Sequence, residues 1–225
     1  MTVEDPFSAS LHHEQGVGTK GRRALIIVDV QPTFCEGGEL GVEGGNRVAS
    51  AIADFVKEHR KDYCYIATTQ DWHIEPGHHF SDTPDFVDTW PRHGVAGSKN
   101  AKLHPLIAAL GIEHHFKKGQ YEAAYSGFQG IEDLGGPAIP SREEFAQMSK
   151  AGHTLKHELD EQQVSNVDVV GIAQSHCVKE TALDAQKYGL RVRVFTDLTV
   201  PVSRELGEEA RKEMNNAGII LQPSR

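Results

Sequence analysis

The sequence predicts an α/β protein: a doubly wound, mainly parallel six-stranded sheet with helices on both faces. Two observations carry that expectation. Short, continuous, β-branched apolar runs recur along the chain, and segments of helical periodicity fall between them, the alternation a parallel sheet needs because each crossover is helix-sized. A third observation sets the scale, since 225 residues suffice for one such domain with a sizeable core and are few for two.

Taken in order, residues 1–22 carry no sustained periodicity and read as a flexible N-terminal extension, with an arm docked in a homo-oligomer as the other reading. The single domain is expected over residues 23–225. Residues 24–30, Ala-Leu-Ile-Ile-Val-Asp-Val, have the pattern of a parallel strand covered on both faces, with Asp29 at its end. From Gly45 onward Val48, Ile52, Phe55 and Val56 recur at helical spacing, and residues 63–69 read as the second strand, completing a βαβ unit. Further strands are expected at 112–116, 167–172, 191–196 and 218–221. Ser141-Arg142-Glu143-Glu144 has the form of a capping box and opens a helix expected to run towards Glu161. Residues 70–111 and 118–140 look loop-rich, and long loops in a compact domain usually serve function.

Composition narrows the partners. A net charge of −9 repels nucleic acid and anionic lipid, and no basic stretch offsets it. The N-terminus lacks the apolar centre of a secretory signal and no apolar run exceeds strand length, so the expectation is a cytoplasmic protein without a membrane partner. Three cysteines, Cys35, Cys64 and Cys177, fit reduced thiols better than a disulfide framework, which leaves one available as a reagent.

In open α/β sheets the binding crevice lies beyond the carboxyl ends of the strands. Those ends deliver Asp29, Asp71, Lys118 and, through Gly171-Ile-Ala-Gln-Ser-His, Cys177. Cys177 is expected to start a helix carrying Val178, Ala182, Leu183 and Ala185 and stopping near Gly189; the helix dipole and a nearby lysine would then lower its pKa towards the nucleophilic thiolate. Backbone N–H groups in the preceding turn are placed to hold an oxyanion. Asp71, His73, His79 and His93 supply one carboxylate and three imidazoles, a set suited to one divalent transition metal ion such as Fe, Mn or Zn, with His78 as a neighbouring competitor.

These residues sit in segments that resemble the nicotinamidase/pyrazinamidase branch of the isochorismatase-like hydrolases: residues 24–38, Gln-Asp-Trp-His, Trp-Pro-Arg-His, Phe-Lys-Lys-Gly, Tyr-Ser-Gly-Phe and Val-Val-Gly-Ile-Ala-Gln-Ser-His-Cys-Val. So many ordered matches are far more specific than one motif. The resemblance implies an isochorismatase-like hydrolase fold and a catalytic triad of Asp29, Lys118 and Cys177, with Lys118 preferred to Lys117 because it precedes Gly119. It implies a metal shell of Asp71, His73, His79 and His93, and a substrate pocket of Phe34, Trp90, Tyr125 and Ile172. It also implies a cis Ile172-Ala173 peptide that turns the Ala173 N–H, with that of Cys177, towards an oxyanion. The substrate so implied is nicotinamide, hydrolysed to nicotinic acid and ammonia through a cysteine thioester in NAD salvage, with pyrazinamide as a second substrate. Ser175 departs from the acidic residue many relatives carry two positions before the nucleophile. Competing readings are a related amidase without use for the histidines, an isochorismatase, which lacks the cysteine, and a ligand-binding relative that keeps only the fold.

Overall fold

The structure is a computed structural model that describes residues 21–136, 139–151 and 153–225. The expected N-terminal extension lies outside the described residues as far as Lys20, and Arg22 already opens the first strand.

Seven strands, β1 (Arg22–Val28), β2 (Tyr65–Asp71), β3 (His114–Lys118), β4 (Ile131–Glu132), β5 (Val164–Ile172), β6 (Arg191–Val200) and β7 (Ile220–Gln222), form one sheet. Their order is β4-β3-β2-β1-β5-β6-β7. All neighbours run parallel except β3 and β4. The helices are α1 (Gly45–His59), α2 (Pro105–Ala108), α3 (Arg142–Lys150), α4 (Leu155–Glu161), α5 (Lys179–Lys187) and α6 (Arg204–Asn216).

The central strand shows why the sheet must be covered twice. Successive side chains of a strand point to opposite faces. Ala24, Ile26 and Val28 accordingly pack with Leu155 and Leu159 of α4, Ala182 and Ala185 of α5, and Met214 of α6. Leu25 and Ile27 pack instead with Val48, Ile52 and Val56 of α1 and with Ile107 of α2. Each such Leu or Ile removed from water contributes roughly 1.5–3 kcal/mol. The doubly wound α/β class is therefore borne out. Because β1 pairs with β2 on one side and β5 on the other, the strand order reverses at β1, and a crevice opens beyond the carboxyl ends of β1 and β5.

Three expectations are corrected. The sheet has seven strands, because Ile131–Glu132, inside a segment read as loop, pairs antiparallel with Phe116 and Lys117; two residues are too few to show periodicity. The helix opened by the Ser141 capping box ends at Lys150, and a second one begins after Thr154, whose hydroxyl accepts from the His157 N–H. The break is held by tertiary pairing: the Glu132 N–H donates to the His153 carbonyl at 2.9 Å, and Thr154 bridges Ile131. Finally, β6 continues to Val200, four residues beyond the expected 196.

If α3 and α4 are separate units, their truncations differ. Leu159 is fully buried, whereas α3 buries no residue. Leu159→Ala is expected to cost about 2–5 kcal/mol in urea denaturation, and Phe145→Ala less than half of that; equal losses would contradict the division.

Candidate active site

Three strand ends and one turn meet at the crevice. Asp29 follows β1 directly in a left-handed conformation, φ 49°. Its N–H donates to the Thr69 carbonyl, and the Thr69 hydroxyl donates to its Oδ1 at 2.6 Å. Asp71 and Lys118 are the last residues of β2 and β3 and are paired in the sheet. The Lys118 ammonium, fully buried, lies 3.0 Å from Asp29 Oδ2, 3.0 Å from the Ala124 carbonyl and 3.7 Å from Cys177 Sγ, and it forms a very short ion pair with Asp71 Oδ1.

Charge follows from that packing. Burial alone would lower the Lys118 pKa, but Asp29 and Asp71 outweigh it and raise it well above the usual lysine range. Burial would raise the Asp71 carboxyl, yet Lys118 and then His73 hold it well below the usual carboxylate range. Asp29 is raised, by burial first and by the Asp71 charge, with Lys118 opposing.

Cys177 is placed differently from the sequence expectation. It lies inside a π-helical turn, Gln174–Val178, that runs into α5 rather than at the first position of a regular helix. Its thiol pKa is raised, not lowered: burial dominates, Lys118 pulls it down, and the Asp29 and Asp71 charges push it up again. A neutral thiol beside a carboxylate of raised proton affinity is the resting arrangement. Cys35 is likewise buried, its thiol pushed up to about 11, while Cys64 is exposed.

The second group shares Asp71. His73, His79 and His93 are all buried, and their ligand atoms lie within 4.8 Å of one another. Asp71 Oδ2 is 3.4 Å from His73 Nε2 and 3.6 Å from His93 Nε2. Nδ1 of His73 faces the Gly119 carbonyl at 2.6 Å and Nδ1 of His93 the Pro91 carbonyl at 2.7 Å. A carbonyl only accepts, so both rings donate from Nδ1, which leaves Nε2 as the nitrogen turned towards Asp71. His73 Nε2 and His79 Nδ1 are buried without a hydrogen-bond partner among the described residues. Burial, then His73 and His93, depress His79 to about 4, which keeps it neutral near pH 7. Orphaned imidazole nitrogens, fixed tautomers and one ionised carboxylate fit a divalent transition metal. The competitor His78 is exposed.

Beside both groups lies a pocket of about 450 Å³. Phe34, Trp90, Tyr125 and Ala173 line it with Asp71, His79, His93 and Cys177. The Trp90 indole N–H donates to the Tyr125 hydroxyl at 2.9 Å, bracing two walls against each other. The Ile172-Ala173 peptide is cis. Ile172 itself is fully buried in the core formed with α1, so the pocket wall at this point is Ala173.

Sequence reasoning missed several residues. His176 lines the pocket and packs edge-on against Trp90. Ser175, which the sequence singled out without a role, accepts from the Val202 N–H at 3.1 Å and contacts His176 Nδ1 at 2.9 Å. Gln31 donates to the Asp71 and Ala101 carbonyls and accepts from the Asp71 N–H, a lock on the metal-side carboxylate whose only sequence signal is its place two residues after Asp29. Gly119 marked Lys118 in the sequence, and its own need is now plain: φ is +75°, and a Cβ there would stand 2.5 Å from His73 Cε1.

Fold and site together define an α/β enzyme of the hydrolase class, with a thiol–ammonium–carboxylate group sharing one crevice with a metal-ligand set. The chain belongs to the isochorismatase domain family, whose model matches residues 23–224. It is 45% identical over 199 residues to the nicotinamidase/pyrazinamidase of Mycobacterium tuberculosis, covering 88% of this chain and 97% of that protein. It is also similar to PnC1 from L. infantum, solved in complex with nicotinate, with a TM-score of 0.71, 31% identity, and 92% and 94% of the two chains covered. The pyrazinamidase of Pyrococcus horikoshii in complex with zinc gives a TM-score of 0.68 at 28% identity, covering 90% of this chain and 99% of that one.

Gly119→Ala would force both a strained backbone and a displaced His73. The expected outcome is metal affinity weakened by about 10–100-fold in a chelator competition, the usual loss when a ligand's support is disturbed; unchanged affinity would remove Gly119 from that role.

Proposed function

We propose that this chain hydrolyses nicotinamide to nicotinic acid and ammonia, with Asp29, Lys118 and Cys177 as its catalytic groups, and that its physiological role is NAD salvage. The observation that carries the proposal is the contact set around Lys118, which brings Asp29, Asp71 and Cys177 to one buried ammonium behind a small aromatic pocket that Asp71 and Cys177 line. The 45% identity to a nicotinamidase/pyrazinamidase supports the same substrates.

Asp29 takes the proton from Cys177 Sγ as the sulfur attacks the amide carbon, so the thiolate forms only when substrate is present. Lys118 holds the negative charge that the thiol leaves behind. The N–H groups of Ala173 and Cys177 stabilise the oxyanion. Asp29 then protonates the departing nitrogen as the C–N bond breaks, ammonia leaves, and a nicotinoyl thioester remains on Cys177. Water deprotonated by Asp29 attacks the thioester carbon, and the proton returns to the sulfur as nicotinic acid departs. Phe34 and Trp90 flank the pyridine ring, giving it apolar contact without fixing its rotation. Asp71, His73, His79 and His93 would hold a divalent ion such as Fe, Mn or Zn, which would supply a Lewis acid for the ring nitrogen.

Cys177→Ala and Asp29→Asn are expected to abolish ammonia release from nicotinamide, and Lys118→Ala to reduce it severely; near-wild-type turnover by Cys177→Ala would sink the covalent route. The corrected thiol chemistry changes the labelling expected with iodoacetamide. Exposed Cys64 and pocket-lining Cys177 both become modified, but activity loss follows Cys177 alone and nicotinate slows it. Activity loss that tracks modification of Cys64, and that Cys64→Ala prevents, would contradict the assignment.

Substrate comparison tests the ring contact. Benzamide keeps the ring shape and the amide but has no ring nitrogen, whereas pyrazinamide has one at the matching position. The expected result is hydrolysis of nicotinamide and pyrazinamide, with benzamide at least about tenfold poorer in kcat/KM, roughly 1.4 kcal/mol. Comparable values for benzamide and nicotinamide would remove the ring-anchoring role.

A further inference from the structure

Residues 132–158 carry a second group of metal-ligating side chains, none of which the sequence singled out. Glu132 on edge strand β4, His153 in the break between α3 and α4, and Glu158 on α4 present ligand atoms that all lie within 4.8 Å of one another, the same closeness as His73, His79 and His93. This group lies outside the pocket that adjoins Cys177.

The surroundings favour a cation. Glu132 is largely buried, and one of its oxygens is taken by His114 Nδ1 at 2.8 Å, which leaves the other free to ligate. No lysine or arginine pairs with Glu132 or Glu158 among the described residues, so two carboxylates converge on a partly buried spot with imidazoles as their neighbours. Such an arrangement is costly unless a counter-charge arrives. An independent feature points the same way. Tyr65 is only 4% exposed, its ring stacks on His114 with centroids 4.4 Å apart, and its buried hydroxyl has no hydrogen-bond partner among the described residues. The same His114 contacts Glu132, so the orphan hydroxyl and the carboxylate are linked through one imidazole, and the Glu132 and Glu158 charges add to burial in raising the pKa of that phenol.

We propose that Glu132, His153 and Glu158 form a second divalent-metal site, for zinc or a similar first-row ion, that clamps β4 to the start of α4. Two carboxylates and one imidazole leave a fourth position for water, and that water gives the Tyr65 hydroxyl its missing partner. Tetrahedral zinc with bonds near 2.1 Å sets neighbouring ligands about 3.4 Å apart. His153 and Glu158, both half-buried, close the remaining distance by small side-chain movements. The clamp reinforces contacts already present, the Glu132 N–H to His153 carbonyl bond and the Ile131–Thr154 bridge. Glu132 is also paired with Phe116 on β3, the strand that ends in Lys118, so the clamp braces the outer edge of that strand.

The test uses the full, untagged chain stripped of metal and dialysed against micromolar Zn²⁺, with bound zinc measured by mass spectrometry. Wild type is expected to hold about two equivalents, and His153→Ala/Glu158→Gln about one, with nicotinamide hydrolysis by that variant within about twofold of wild type. In a His73→Ala/His93→Ala background about one equivalent is expected to remain and to vanish when His153→Ala/Glu158→Gln is added; circular dichroism checks that each variant is folded. Wild type holding a single equivalent, or the His153→Ala/Glu158→Gln variant retaining as much zinc as wild type, would overturn the proposal. Should the His73→Ala/His93→Ala background fail to fold, the comparison of wild type with His153→Ala/Glu158→Gln decides by itself.

Discussion

The ammonium of Lys118 sits in the interior with no access to water, and burying such an ion costs several kcal/mol unless it is paired and hydrogen-bonded. Asp29, Asp71 and the Ala124 carbonyl meet that requirement, and to do so the carboxyl ends of β1, β2 and β3 must stop level with one another. Much of the nearby structure can be understood as holding that alignment. Thr69 ties β2 to Asp29, Gln31 ties the segment after β1 to Asp71, and the tight turn at Gly119 carries the chain away from Lys118 while its carbonyl orients His73.

One consequence is that the two halves of the site are electrostatically joined. Asp71 gives one oxygen to Lys118 and turns the other towards His73 and His93. A positive charge placed among the histidines acts on the same carboxylate that neutralises Lys118, and through it on the balance between Lys118 and Asp29. The site therefore has no separable metal and thiol compartments, only one network in which Asp71 is common.

A second consequence concerns the thiol. A sulfur at the head of a helix and near a lysine is often read as a preformed thiolate. Here full burial and two nearby carboxylates outweigh the single ammonium, so the proton stays on sulfur until a base removes it. Asp29, whose own proton affinity is raised, is suited to receive it. The proton affinity of the Cys177 thiol thus depends on burial and on the arrangement of three charges rather than on helix placement.

The fold class was legible because a strand covered on both faces must be apolar throughout, and residues 24–30 and 167–172 could serve as little else. Asp29, Asp71, Lys118 and Cys177 could be singled out because polar residues that end such runs point into the crevice of a parallel sheet, and ordered motif matches narrowed the choice among neighbouring lysines and histidines. What the sequence could not supply were facts that depend on distant segments meeting. Strand β4 exists because it pairs with β3 and with the break before Thr154, not because two residues have a local preference, and the cap at Thr154 marks where α4 starts but not what the break meets. The direction of the Cys177 pKa depends on burial and on carboxylates from β1 and β2, and the meeting of Glu132, His153 and Glu158 depends on a helix break that no periodicity marks. Local composition determined which elements form and which side chains end them; only tertiary structure decided which charges share a low-dielectric space, because that depends on distances between residues far apart in the chain.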